Sequence, residues 1–296
     1  MTPGSGVIPL ASVLGLAGAV CERPWIADGG AGALSGIVCE PAGGVQPGMV
    51  WTVFLNAGGM RRAGPNRLWT LAARALAAAG RPSLRFDVRD VGDSDGRSDP
   101  WPDLESMYAP SSIDDAVRAV DWVEDQRPGR IEVTGLCSGA FLGAQVSARR
   151  QIHRAVLFNS LALVWDDEAR ASSLTDQVRG SLLNARRWRR LLTGKIDVVA
   201  LTRAMARKAR LRVHARLSRD PAPDPVAALL TEVRARGTDL QLVSSAGDPS
   251  VAYLQRHFPA DAHPPLTLIA GADHTIRPVW LHPRVIALIA GWPTPR

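Results

Sequence analysis

The stretch RIEVTGLCSGAFLGAQVSARR, residues 130–150, carries the reading of the fold. Residues 130–134 have the composition of a short strand, and 140–150 read as an apolar helix. The join between them is Gly135-Leu136-Cys137-Ser138-Gly139. A side chain at the centre of such a strand-to-helix turn needs unusual backbone angles. Small residues two before and two after it let strand and helix approach each other. Gly135 and Gly139 stand at those positions around Cys137. A thiol placed there projects above the sheet edge at a helix N-terminus, where the dipole favours thiolate over thiol. Ser138 is the rival nucleophile. Were it central, Leu136 and Ala140 would flank it, and Leu136 would crowd the turn. Cys137 is the expected nucleophile, set against the plainer reading of a small buried hydrophobe.

Outward from this stretch, strand-like and helix-like segments alternate. Residues 23–27 and 34–40 are short strand candidates around the Gly-rich turn 28–32. MVWTVFL (49–55) is a continuous apolar run with turn signals on both sides, as in a strand buried on two faces. Residues 66–79 show helical periodicity and stop at Gly80, a C-cap candidate. A strand at 83–87, a polar loop at 88–102 and a helix at 112–126 follow, the helix capped by Ser111 or Ser112. Further strands read at 155–159, 239–245 and 266–270. This alternation predicts an α/β fold with a doubly wound, mainly parallel sheet. Between 159 and 239 it stops, and residues there read as helical. Within that span, 179–219 hold thirteen Arg or Lys residues against a single acid, Asp197. The expected organisation is a core from 1–160, a helical Arg-rich lid over 161–236, and the rest of the core from 237–296.

A chain of 296 residues suits one large α/β domain with an insertion. With 46% hydrophobic and 21% charged residues, it has an ordinary globular composition, which excludes low-complexity and repeat architectures. The net charge of +7 is almost wholly arginine, since only Lys195 and Lys208 are lysines. Together with abundant Ala, Gly and Pro, that bias reflects a GC-rich genome, so arginine enrichment alone is weak evidence for a polyanionic partner. No recognition motif accompanies the charge, so nucleic acid is not expected. Cys21, Cys39 and Cys137 are too few and scattered for a disulfide framework, and no pair has metal-ligand spacing. A cytoplasmic protein without metal or cofactor is expected. The apolar segment 7–20 lacks a basic leader, contains Pro9, and has Val20 where a small residue should precede a lipidated cysteine. It is too short to span a bilayer. It reads as an extension packed on the domain, with no membrane association.

The segment Gly135–Gly139 resembles the G-x-nucleophile-x-G elbow of the α/β-hydrolase family, with cysteine in place of the commoner serine. The resemblance implies an α/β-hydrolase fold with a helical lid insertion and a triad in the order nucleophile, acid, histidine. His274, in Gly271-Ala272-Asp273-His274-Thr275, follows strand 266–270, on the loop that carries the family's histidine. That loop lies at the sheet edge where ligands gather in open α/β folds. His153, His214, His257, His263 and His282 lack this placement. Asp248 follows strand 239–245 and fits the orienting acid, although a turn-forming Asp before Pro249 is the plainer reading. Asp273 adjoins His274, and its side chain is expected to point away from the imidazole.

The oxyanion hole implied by the resemblance takes one N–H from Ser138. The other comes from Ala57 or Gly58, in a loop (Asn56-Ala57-Gly58-Gly59) that resembles the family's H-G-G loop with Asn replacing His. Arg61, Arg62, Asn66 and Arg67 are candidates to face the site, with solvated turn residues as the plainer reading. Residues 87–94 resemble the family's D-x-R-G-x-G-x-S loop, which shapes the fold near the site.

The expected activity is acyl transfer, thioesterase- or acyltransferase-like, through an acyl-cysteine formed from an acyl thioester or ester. Cysteine elbows occur in the related dienelactone hydrolases, polyhydroxyalkanoate synthases and some biosynthetic thioesterases, so the resemblance extends to secondary metabolism. An acyl-cysteine is itself a thioester, so taking an acyl group from a pantetheine thiol is close to isoenergetic. The basic lid would steer a small-molecule acyl substrate carried on coenzyme A or an acidic carrier protein. Three other readings stay open. One is a carboxylic-ester or lactone hydrolase. Another is elimination of an acyloxy group, as in tetronate-ring formation, without an acyl-enzyme. The last is a non-catalytic partner-binding protein on the same fold.

Overall fold

In the computed structural model, residues 20–29, 32–96, 104–166, 169, 224–257 and 266–293 are described. The apolar run up to residue 19 and the basic stretch 179–219 lie outside them. The chain divides into two compact units, Met1–Leu163 with Val226–Arg296, and Val164–Pro225. The sheet belongs to the first. Its strands are β1 (Val20–Ala27), β2 (Leu34–Pro41), β3 (Val50–Leu55), β4 (Ser83–Phe86), β5 (Arg130–Leu136), β6 (Arg154–Phe158), β7 (Asp239–Ser245) and β8 (Leu266–Ile269). They lie in the order β1-β2-β4-β3-β5-β6-β7-β8. β1 and β2 pair antiparallel, as do β2 and β4; all the remaining pairs are parallel.

Side-chain alternation along β3 explains why its sequence is apolar throughout. Phe54 faces a layer formed by α1 (Leu68–Ala78), where its ring lies 5.3 Å from that of Trp69. Trp51 points to the other side, its ring 5.8 Å from Trp122 of α3 (Pro110–Glu124). Both faces of the strand are covered, and alternation puts successive residues into different layers. Phe54, Trp69 and Phe158 share one apolar cluster with Val285, Ile286 and Ile289 of α7 (His282–Ala290). The remaining α-helices among the described residues are α2 (Leu104–Met107), α4 (Ser138–Ser147), α5 (Pro225–Ala235) and α6 (Pro249–His257).

Two helix starts differ from the sequence reading. Asn66 and Arg67 have φ values of 46° and 65°, so the α-helix begins at Leu68 and not at residue 66. The C-terminal expectation holds: the N–H groups of Gly80 and Arg81 return to the carbonyls of Ala77 and Leu76, a Schellman closure on a glycine at φ 77°. α3 starts at Pro110 with Ala109 as its N-cap, placing Ser111 and Ser112 inside the first turn. A proline with fixed φ and no N–H suits the first helical position better than a serine cap two residues later. Ser112 instead donates its hydroxyl to the carbonyl of Ser106, at 2.8 Å.

The sheet order reverses around β3, whose neighbours are β4 and β5. The carboxyl ends of β3 and β5 therefore lie side by side at a topological switch point, where open α/β sheets form their ligand crevice. Leu55, the last residue of β3, pairs with Gly135, two residues before Cys137.

Candidate active site

Cys137 sits between β5 and α4 with φ 56° and ψ −114°, a backbone region that residues with a β-carbon rarely occupy. The flanking glycines are required by clearance. A β-carbon at Gly135 would lie 2.1 Å from the carbonyl oxygen of Gly139. One at Gly139 would lie 2.2 Å from the carbonyl oxygen of Leu55. Backbone meets backbone at both points, so neither neighbour can rotate aside. The Cys137 N–H donates to the Phe158 carbonyl at 2.9 Å, and its half-buried thiol stands at the start of α4. Ser138 is the first residue of that helix, so the elbow geometry belongs to Cys137.

His274 and Asp248 arrive from the next strand ends. Nδ1 of His274 lies 2.7 Å from Oδ2 of Asp248. The other oxygen, Oδ1, accepts the N–H of Ser250 at 2.9 Å in the first turn of α6. One carboxylate thus caps a helix and orients an imidazole. Burial raises the Asp248 pKa, but the hydrogen bonds from His274 and Ser250 outweigh it and leave a net lowering. His274 shifts the other way, to about 10. Burial opposes its charge, whereas the Asp248 carboxylate and the sulfur of Cys137 favour it more strongly. Cys137 is near enough to influence the imidazole, although no hydrogen bond of standard geometry joins Sγ to the buried Nε2. Such contacts are commonly loose before substrate binds.

The histidine loop is held from β6. Asn159, at the end of that strand with φ 48°, donates from Nδ2 to the His274 carbonyl at 2.7 Å and to Ser245 Oγ at 2.9 Å. Its Oδ1 accepts the Ser245 N–H at 2.6 Å, and the Ser245 hydroxyl donates to the Asp273 carbonyl at 2.9 Å. The Asp273 side chain pairs with Arg277 and takes no part in orienting the imidazole. Of the other histidines, His153 accepts the Ile131 N–H and His257 packs on Tyr253. His282 is buried in α7, and His214 and His263 lie outside the described residues.

In the loop after β3, Gly58 has φ 51° and its N–H donates to Ser138 Oγ at 2.6 Å. Among the described residues, the N–H groups of Ala57 and Ser138 have no acceptor. Arg62 departs from the reading of a solvated turn: its N–H donates to Asp87 at 2.5 Å, and its guanidinium bridges Asp87 and Asp93. Asn66 ties the same loop to the Arg277 carbonyl at 2.7 Å. A pocket shares Gly58 and Ser138 with this wall and has apolar sides from Met60, Phe86, Met107 and Leu142.

Tyr108 and Asn159 escaped the sequence reading. Tyr108 is buried against Phe141, their rings 5.0 Å apart, and its hydroxyl lies near enough to Cys137 for burial and the sulfur together to push its pKa up. The signal for Asn159 was available, because an Asn closing an apolar strand tolerates the left-handed backbone found there. Among the described residues, no group of three or more His, Cys, Asp or Glu side chains is placed to hold a metal ion. No helix among them is long and apolar enough to cross a membrane.

Structural comparison places this arrangement. A dienelactone hydrolase from Anabaena variabilis superposes with a TM-score of 0.58 at 15% identity, over 93% of this chain and 97% of that one. This chain has the α/β-hydrolase fold. An esterase from Pyrococcus furiosus matches at 0.57 and 15% identity, over 98% of both chains. A proline iminopeptidase from Mycobacterium smegmatis gives 0.53 and 18%, over 91% of this chain and 98% of that one. No protein-family profile and no curated protein sequence matches the chain. At these identities the likeness speaks for the α/β-hydrolase fold, and chemistry has to be argued from the site.

Proposed function

We propose that the protein is a carboxylic-ester or lactone hydrolase that works through an acyl-cysteine on Cys137, with His274 as acid and base and Asp248 as its orienting acid. The observation that carries this reading is the His274–Asp248 contact of 2.7 Å, set beside a cysteine in the strained elbow position.

The charge state sets the order of steps. With its pKa raised to about 10, His274 enters the proposed cycle holding its proton. The thiolate attacks the ester carbonyl, a sulfur–carbon bond forms, and the carbonyl oxygen becomes an oxyanion held by backbone donors at Ser138 and the β3 loop. Collapse breaks the carbon–oxygen bond to the leaving alkoxide, which takes the proton from Nε2 of His274. The neutral imidazole then draws a proton from water as that water attacks the thioester. The carboxylic acid departs, and thiolate and imidazolium return. The apolar pocket beside Gly58 and Ser138 suits the acyl portion.

Acyl thioesters are a second class of donor, favoured by the sulfur nucleophile itself, since thioester exchange is nearly balanced in energy. The expected steering by a basic lid has no bearing on this choice, because that stretch lies outside the described residues. Incubation with p-nitrophenyl esters and acyl-pantetheines, followed by intact-mass measurement, separates the classes. A wild-type adduct of acyl mass on Cys137, missing in Cys137→Ala, is the expected result. Absence of any adduct, even in His274→Ala, would remove acyl transfer and favour elimination.

A further inference from the structure

The Ser138 side chain has a place in the site that its backbone N–H does not explain. A serine hydroxyl offers one donor and two acceptor lone pairs. At Ser138 one lone pair takes the Gly58 N–H at 2.6 Å, while the hydroxyl proton has no acceptor among the described residues. The residue is almost fully buried, at 4% exposure, and lines the pocket beside Gly58. The hydroxyl and the unengaged Ser138 N–H belong to one residue. The Gly58 N–H, which would otherwise serve the oxyanion directly, instead polarises the hydroxyl and pins its oxygen.

We infer that Ser138 Oγ–H is a side-chain donor of the oxyanion site, so that Ser138 is a catalytic residue contributing both its N–H and its hydroxyl to the developing negative oxygen. The inference rests on acyl transfer at Cys137. Chained donors suit this task, because a hydroxyl that already accepts a hydrogen bond donates a stronger one. Of the two β3-loop candidates, Gly58 then acts through Ser138, and Ala57, whose N–H has no acceptor among the described residues, keeps the direct role.

The test compares wild type with Ser138→Ala and Ser138→Thr, using p-nitrophenyl acetate for acylation and iodoacetamide for alkylation of Cys137. Alkylation is a displacement at saturated carbon and uses no oxyanion donor. It therefore reads the nucleophilicity of the Cys137 sulfur beside His274 alone. The expected result for Ser138→Ala is a fall in the acylation rate of about 10²-fold, the usual loss for one oxyanion donor, with KM changed less than about threefold. Alkylation should stay at the wild-type rate, and Ser138→Thr, which restores a hydroxyl, should recover most of the acylation rate. Equal acylation by wild type and Ser138→Ala would overturn the inference. A faster Ser138→Ala enzyme would also overturn it, by showing that the hydroxyl plugs the Gly58 N–H until substrate displaces it. Parallel loss of acylation and alkylation would assign Ser138 to holding the elbow, again against the inference. A wild type that alkylates but never acylates would overturn the acyl-transfer reading, and this inference with it.

Discussion

At the residue scale, the charge state of His274 decides what the imidazole does first. In the proposed cycle, a histidine that holds its proton to about pH 10 enters as an acid, ready to protonate a leaving group, and would become a base only after acylation. The Asp248 carboxylate, 2.7 Å from Nδ1, is a principal support of that proton. An NMR titration of the His274 ring in wild type should therefore show a midpoint well above the ordinary value of 6.5, and Asp248→Asn should bring it down. The same variant should lower kcat by about 10³-fold or more, because an amide neither fixes the tautomer nor balances the charge. An unmoved midpoint in Asp248→Asn would assign the support to the Cys137 sulfur instead.

At the element scale, the elbow and the histidine loop depend on different kinds of contact. The elbow depends on clearance. Gly135→Ala brings a β-carbon to 2.1 Å from the Gly139 carbonyl oxygen and should cost about 3 kcal/mol in urea denaturation, or prevent soluble expression. Gly43→Ala, with nothing within 4 Å of the new carbon, should leave the midpoint in place. The histidine loop depends on hydrogen bonds from a neighbouring strand. Asn159→Ala strips donors from the His274 carbonyl and the acceptor from the Ser245 N–H, and should lower kcat with little change in KM. These two cases also show what was legible beforehand. Gly135, Cys137 and Gly139 are spaced by the demands of one turn, and the apolar run of β3 reports burial on both faces, so both are written in adjacent residues. The bond from Gly58 to Ser138 spans 80 positions and that from Asn159 to His274 spans 115. Polar contacts of that range leave no periodicity in the chain, and only the strand order brings the partners together. The left-handed Asn66 and Arg67 were hidden for the opposite reason: a helical pattern of apolar residues continues through positions whose backbone is not helical.

At the scale of the whole molecule, two histidines pull stability in opposite directions with pH. His274 has a folded pKa raised above its unfolded value. Its contribution is fully present below 6.5 and is lost as pH climbs toward 10. His282 has a folded pKa lowered by burial in α7, despite a contribution from Ile276 that opposes the shift. Below pH 6.5 the unfolded chain binds a proton there that the folded chain refuses, so stability falls on acidification. Urea unfolding of wild type should show a loss from pH 7.5 to 9.5 that His274→Gln lacks, and a loss from pH 7.5 to 5.5 that shrinks in His282→Leu. An acid limb unchanged in His282→Leu would place that loss on other groups. The order of the strands has one further consequence, for a chain still being synthesised. Cys137 is in place once β5 and α4 have left the ribosome, yet Asp248 waits for β7 and His274 for β8. The strand between them, β6, carries the asparagine that anchors a loop not made until 115 residues later. A nascent chain therefore carries the proposed nucleophile before the proposed acid and base are synthesised, and the proposed triad is complete only as the C-terminal strand docks.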